Sequence, residues 1–295
     1  LALSAPLILL ITDMVPSQWD EFTTWLPNAR FLYDHDGLPT RQNPNLLSAL
    51  PAYPYGMPTV TYLVSRVTGR FVENAAALFN VVLFLCLALS LARIVTAALA
   101  DDHEQPAKLV ASRGRVPATP SWVLCAVGTL GVTALNPTFV KKLVFTAYSD
   151  PSSAVLLGLG CLAMLHLLEA VADADTPRVQ RIAWQVGLIA AALINIRQAN
   201  LVLVVALIAG TLIAGWRDSR VAALDVARPL ILPMALPVVI YVTWRTHVAS
   251  NFLGGEFTIQ PIAEWHFHLF TDVVSRMALV ASKKGGYFTV MLIAV

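Results

Sequence analysis

Charge is what this sequence has least of. Only 13% of its 295 residues are Asp, Glu, Lys or Arg, against about 25% in an average soluble domain. A soluble chain of this size needs a charged surface, and here there is too little to make one. The two signs nearly cancel, leaving a formal net charge of +2, which argues against a nucleic-acid-binding surface. Cysteine is scarce as well. Cys86, Cys125 and Cys161 each fall in an apolar block, and no Cys-x-x-Cys spacing occurs. That speaks against a disulfide framework or a thiolate metal site, and we read the three as small core residues. The chain has no phosphate-cradling P-loop and no dinucleotide fingerprint. It offers no Asp-x-Asp spacing outside turns, which argues against a nucleotide-sugar enzyme holding its donor through a divalent metal. Asp34-His35-Asp36 comes nearest, but it runs into Gly37-Leu38-Pro39 and reads as a turn. No internal repeat is evident, which counts against a transporter built from repeated halves.

What is there is apolar, 57% of the chain, in blocks near the ~20 residues a bilayer-crossing helix needs. The expected fold is therefore all-α, a polytopic transmembrane bundle of about seven to eight spans, with residues 1–295 as one transmembrane domain. Candidate spans are 1–12, 73–95, 120–136, 150–171, 182–196, 200–215, 229–249 and 286–295. The chain begins without Met in one apolar run and ends in another, so it reads as a piece of a longer protein, truncated at both ends.

The segment 13–70 departs from this pattern. It carries Asp13, Asp20, Glu21, Asp34 and Asp36 among prolines and aromatics, and reads as an external loop. Two pieces of it, Asp20–Tyr33 and Met57–Val67, read as short interfacial helices, too short to span. If this loop is external, the loops at 96–119, 172–181 and 216–228 are internal. Those hold Lys108, Arg113, Arg115, Arg178, Arg181, Arg217, Arg220 and Arg228, as the positive-inside tendency expects. Arg30, Arg41, Lys141, Lys142, Lys283 and Lys284 then lie outside, where some would bind an anionic ligand.

The same alternation puts four polar elements on one face of the membrane. They are Trp19-Asp20-Glu21, Tyr148-Ser149-Asp150, Arg197-Gln198, and the 250–282 segment with His266 and His268. Polar groups at membrane depth are expensive and mark function. Plain structural roles remain open beside that reading. Asp20-Glu21 and Asp150 are also suited to helix starts, Arg197 to snorkelling, and Lys141-Lys142 to interfacial anchoring. His266 and His268 sit in an aromatic belt, and without a third matched ligand they make no metal site. His166 and Glu169, three apart, read as a packing pair.

The order of these motifs carries a resemblance. An acidic pair in the first external loop is followed by Asn-Pro (Asn43-Pro44), Tyr-Pro-Tyr-Gly at residues 53–56, Tyr-Ser-Asp-Pro opening a span at 148–151, and a basic-polar turn between two spans at 195–200. This resembles the GT-C superfamily of polyprenyl-phosphate-sugar-dependent membrane glycosyltransferases. Its members include protein O-mannosyltransferases, the lipid A aminoarabinose transferase and dolichyl-phosphate-glucose glucosyltransferases. Residues 195–200, Asn-Ile-Arg-Gln-Ala-Asn, are similar to an Arg-Gln-Thr-Asn turn of one such glucosyltransferase. Residues 145–151 are similar to its Tyr-Thr-Asp/Glu element.

The resemblance implies an inverting transfer of a sugar from a polyprenyl-phosphate donor to a lipid-linked or glycan acceptor, in the bacterial inner or plasma membrane, with the site on the external face. It implies Asp20 as general base and Glu21 as its tuning or acceptor-orienting partner. Arg197, Lys141 and Lys142 would meet the donor phosphate, while Tyr148, Asp150, Gln198 and His266 would line the substrate site. No cofactor and no metal are called for. The partners are the donor, the acceptor and membrane lipids. The alternatives are a multi-spanning transporter, a lipid-linked polysaccharide polymerase or ligase, and a structural subunit without chemistry.

Overall fold

Long apolar runs with few breakers fold as helices because, away from water, a helix is the local way to satisfy every main-chain N–H and C=O. The computed structural model describes residues 5–103, 120–132, 146–217, 221–252, 262–264 and 266–282. Among them every regular element is helical. We number the helices α1 (Ala5–Thr12), α2 (Leu26–His35, entered through a π-helical turn, Glu21–Trp25), α3 (Gly56–Thr68), α4 (Ala75–His103) and α5 (Trp122–Val132). Then follow α6 (Ser149–Ala172), α7 (Thr176–Ile196), α8 (Leu201–Arg217), α9 (Ala223–Leu230), α10 (Ala235–Asn251) and α11 (Phe270–Ser282).

Among the described residues four stretches are long and apolar enough to cross a membrane: Ala75–Thr96, Ser149–Ala172, Thr176–Ile196 and Gln198–Arg217. A bent pair, α9 with α10, makes a fifth if read as one span. These fit a multi-pass helical membrane protein. Of the other expected spans, 1–12 is described as α1 from Ala5 and 120–136 as α5 up to Val132, while 133–136 and 286–295 lie outside the described residues. The expected span at 229–249 is broken by 52°. Pro229 and Pro233 flank the break, and each lacks the N–H that would continue the ladder. The polar loop expected from 96 starts later, since α4 runs on to His103. The two short helices of the 13–70 segment are found. At 13 residues, α3 is ~20 Å long, well under the ~30 Å hydrocarbon core. Cys86 and Cys161 are free, as expected, but exposed on their helices rather than in the core, with Cys125 half-buried.

Helices α6 and α7 form the central antiparallel hairpin. Asp175 N–H donates to Ala170 O at 3.0 Å and Ala174 N–H to Val171 O at 3.0 Å, with Ala174 left-handed at φ 54°. This is a Schellman ending. The Asp175 carboxylate then accepts from Arg178 N–H and starts α7, with Pro177 in its first turn. Small residues let membrane helices approach closely, and they do so where other elements pack against α7. A Cβ on Gly187 would sit 2.7 Å from Pro233 O, and one on Gly56 only 2.5 Å from Asn195 O. Gly56 therefore holds the start of α3 against the end of α7. Large apolar side chains face outward on the spans, among them Leu188, Val202, Val205 and Val239.

The 13–56 segment is stitched to one end of this bundle. Buried Asn28 accepts from Asn45 Nδ2 at 3.0 Å and from the Tyr55 hydroxyl at 3.1 Å, and its own Nδ2 donates to Leu50 O. Asn74 Nδ2 donates to Ile11 O and Met14 O, tying the end of α1 to the start of α4. At the end of α10, Trp244 Nε1 donates to Ala52 O at 3.2 Å, and His247 Nε2 lies 3.2 Å from Pro39 O. Asp36, in the Asp34-His35-Asp36 triplet, is left-handed at φ 52° and ends α2. Its carboxylate accepts from Tyr62 and Arg66. The expected turn is thus corrected in part: Asp34 and His35 close the helix and only Asp36 turns the chain.

Candidate functional site at one end of the bundle

The segment before α6 sits in a cradle of polar side chains. Asn80 of α4, fully buried, donates from Nδ2 to Thr146 O at 2.9 Å and to Tyr148 O at 3.0 Å, while its Oδ1 accepts from Ser152. A buried amide with both ends engaged fixes its neighbours strongly, because leaving any of those groups unpaired costs ~1–3 kcal/mol. Tyr148 is thereby held in extended backbone (φ −63°, ψ 148°) immediately before the first turn of α6.

Glu21 is the second clamp. It is only 3% exposed. Its Oε2 accepts from Ser17 N–H at 2.8 Å and Gln18 N–H at 2.9 Å, and its Oε1 accepts from Ala147 N–H at 2.9 Å. Three main-chain donors converge on one carboxylate from segments 126 residues apart, binding the first loop to the entry of α6. The Asp20 carboxylate is different. It is exposed, makes no capping bond, and has no hydrogen-bond or ionic partner among the described residues. Its main-chain N–H donates to the Tyr148 hydroxyl at 3.3 Å.

On the other side of Tyr148, Asp150 Oδ1 lies 3.1 Å from Arg197 Nη1. Arg197 ends α7 in extended backbone, and its guanidinium stands 5.9 Å from the centre of the Tyr53 ring, within cation–π range. Tyr53 packs edge-on to Trp25, with centroids 5.7 Å apart. Gln198 opens a single 3₁₀ turn, Gln198–Asn200, which is pinned by Asn200 Nδ2 donating to Ser153 Oγ at 2.8 Å and Leu193 O at 2.9 Å. Three buried polar atoms here have no partner among the described residues: Ser149 Oγ, Arg197 Nε and Gln198 Nε2.

The phenol of Tyr148 responds to this setting. Its pKa is raised above the ordinary 10.0, first by partial burial. The Asp20 N–H at its oxygen opposes the rise, and the negative charge of Asp20, Glu21 and Asp150 adds to it.

The structure thus brings together Asp20, Glu21, Tyr148, Asp150, Arg197 and Gln198. Lys141 and Lys142 lie outside the described residues. His266 is exposed, 5.6 Å ring to ring from His268, and no hydrogen bond or ion pair among the described residues joins it to the cluster. No group of three metal-ligating side chains occurs among the described residues. Sequence reasoning missed Asn80, Ser149 as part of the site, and Tyr53. Asn80 carried the best signal, as a lone amide in an apolar helix, because a polar side chain in a span needs a partner. No known protein family, curated protein or solved structure matches the chain.

Proposed function

We propose that this chain is a membrane glycosyltransferase of the GT-C kind, moving a sugar from a polyprenyl-phosphate donor to a lipid-linked or polymer acceptor with inversion at the anomeric carbon. The observation that carries the reading is the convergence on Tyr148. Asp20, an exposed carboxylate with no partner among the described residues, has its main-chain N–H on the Tyr148 hydroxyl, and a guanidinium, Arg197, pairs with Asp150 two positions further on. Nucleophilic attack by an acceptor hydroxyl calls for a base and a cation so disposed. Asp20 accepts the hydroxyl proton as the acceptor oxygen bonds to the anomeric carbon. Arg197 stabilises the negative charge that collects on the departing polyprenyl phosphate as the sugar–phosphate bond breaks. The unpartnered Arg197 Nε, Gln198 Nε2 and Ser149 Oγ supply further donors for donor oxygens. Glu21 holds the loop so that Asp20 stands beside Tyr148. The described cluster has three carboxylates to one guanidinium, so the donor phosphate needs more positive charge, which Lys141 and Lys142 would bring. In this reading the cluster faces the outside of a bacterial inner or plasma membrane.

The experiment is sugar transfer from a radiolabelled polyprenyl-phosphate sugar in nanodiscs. Asp20→Asn is expected to slow transfer by roughly 100- to 10,000-fold with unchanged unfolding behaviour and donor binding. Wild-type turnover in that variant overturns the assignment. A second reading, a transporter, draws on the two helix breaks, at Gln198–Asn200 and between α9 and α10, because interrupted helices form transporter sites. Substrate uptake into proteoliposomes without bond cleavage would select it.

A further inference from the structure

A cavity that the carboxylate cluster does not use runs from the middle of the bundle toward its opposite end. It lies between α4, α6 and α7, has a volume of about 500 Å³, and is walled by Leu159, Leu162, Leu188 and Ile189, with Arg93, His166 and Gln185 among its lining. The volume falls within the ~300–1,000 Å³ of ordinary small-molecule sites. His166 is 17 positions along α6 from Ser149 (Ser149–Ala172), which puts it ~25 Å from the cluster. Each wall helix is one of the membrane-crossing stretches, so the apolar part of the cavity is bathed in acyl chains. Arg93 stands three positions before the end of the Ala75–Thr96 crossing, at headgroup level.

Charge decides what fits. Around the cavity mouth the acidic groups already have cations. Glu169 Oε2 lies 3.0 Å from His166 Nδ1 and 3.3 Å from Arg178, and Asp173 lies 3.8 Å from Arg178. Arg93 has no hydrogen-bond or ionic partner among the described residues, although its guanidinium carries five donors. A full cation with no counterion among the described residues, at the rim of an apolar cavity open to lipid, matches an anionic headgroup above an acyl chain. An arginine at this depth without an anion would only snorkel, and snorkelling does not require three helices to leave a cavity beside it.

We propose that this cavity is a binding site for an anionic phospholipid. The phosphate sits on Arg93, and one acyl chain lies against Leu159, Leu162 and Leu188. Near a membrane surface each basic residue favours anionic lipid by about fivefold, and a shaped apolar wall retains the chain. The site is independent of the sugar-transfer reading and stands if that reading fails.

The test is native mass spectrometry of the purified chain released from nanodiscs of equal parts phosphatidylglycerol and phosphatidylcholine. A bound phosphatidylglycerol is expected, preferred by about fivefold. Arg93→Gln should abolish the preference, while Arg217→Gln, a basic residue at the same end but outside the cavity, should keep it. Leu162→Trp fills the cavity and leaves Arg93 in place, so it should lose the bound lipid even where Arg93→Gln folds poorly. Competing inorganic phosphate should leave the bound lipid in place, because the chain contributes to binding. Equal retention of the two lipids, displacement by inorganic phosphate, or an unchanged preference in Leu162→Trp overturns the proposal.

Discussion

The two ends of the bundle handle charge in opposite ways. Where Glu169 sits, ion pairs are local in sequence. His166 and Glu169 are three apart, Glu169 and Arg178 nine, and Asp225 and Arg228 three. Each side chain there is substantially exposed, and the helices would exist without the pairs. Where Tyr148 sits, the polar links run across the chain. Asp150 and Arg197 are 47 residues apart, Asp20 and Tyr148 128, Glu21 and Ala147 126, and Arg41 and Asn251 210. Local pairs decorate helices already formed. Long-range pairs, the Glu21–Ala147 one buried, fix the positions of separate segments relative to one another, and a site needs that. This difference, more than the number of charges, is why we propose the Tyr148 end as the functional one.

The sharpest way to break the comparison is to delete matched carboxylates. Glu21→Gln leaves three main-chain N–H groups facing a half-amide instead of a full anion in a buried setting. Hydrogen bonds to charged groups are worth ~1.5–3 kcal/mol each, so a loss of roughly 2–4 kcal/mol is expected overall. Glu169→Gln removes an exposed pair and should change stability by ~0–1 kcal/mol. Reversible unfolding in mixed micelles measures both. Catalysis is the control: residual transfer per folded Glu21→Gln molecule should stay near wild type. A stable Glu21→Gln protein that has lost transfer would move Glu21 from clamp to catalyst.

Matched arginines sharpen the same contrast at smaller scale. Arg197 donates from Nη1 to Asp150, stands over Tyr53 and keeps its Nε unpartnered among the described residues, and lysine reproduces the charge without the planar set of donors. Arg197→Lys should raise the donor Michaelis constant by about tenfold, the equivalent of one charge-assisted bond. Arg178→Lys, at the other end, should leave it unchanged. Free substitution at both positions would reduce Arg197 to an anchor.

The same contrast sets what could be read from sequence. Spans with long uninterrupted apolar runs, such as α6 and α7, were legible because composition and length suffice. So was the start of α6, since Asp150-Pro151 is a local helix signal. Composition and geometry part company at the expected span 229–249. The apolar stretch at 229–249 contains prolines that break it, and hydropathy does not weigh a missing N–H. Asp20, Asp150 and Arg197 were found as separate polar interruptions of an apolar sequence. Their convergence on Tyr148 was visible only as shared sidedness, because the clamps that produce it, Glu21 on Ala147 and Asn80 on Thr146 and Tyr148, are tertiary. For the same reason only the resemblance, and nothing in the residues themselves, tells the two members of the acidic pair apart. Burial separates them: one carboxylate is enclosed by main-chain donors and the other is open.

The smallest expected effect tests whether Tyr148 senses the carboxylates around it. Its phenol is raised above 10.0, by burial first and by three nearby carboxylates, so the folded chain holds the phenolic proton more tightly than the unfolded chain does. Stability from this group is therefore fully present below the unfolded value. It is lost as pH rises from about 10 through the higher folded value, because only the unfolded chain releases the proton readily. Unfolding measured between neutral pH and the alkaline limit should show a decline that Tyr148→Phe flattens, after allowance for the other tyrosines. Asp20→Asn should weaken the decline less than Tyr148→Phe removes it, since burial outweighs the charge of any one carboxylate. At the opposite end His166→Gln should leave this alkaline limb untouched. An alkaline profile identical in wild type and Tyr148→Phe would mean that the phenol stands clear of the cluster, and the convergence on Tyr148 would fail with it.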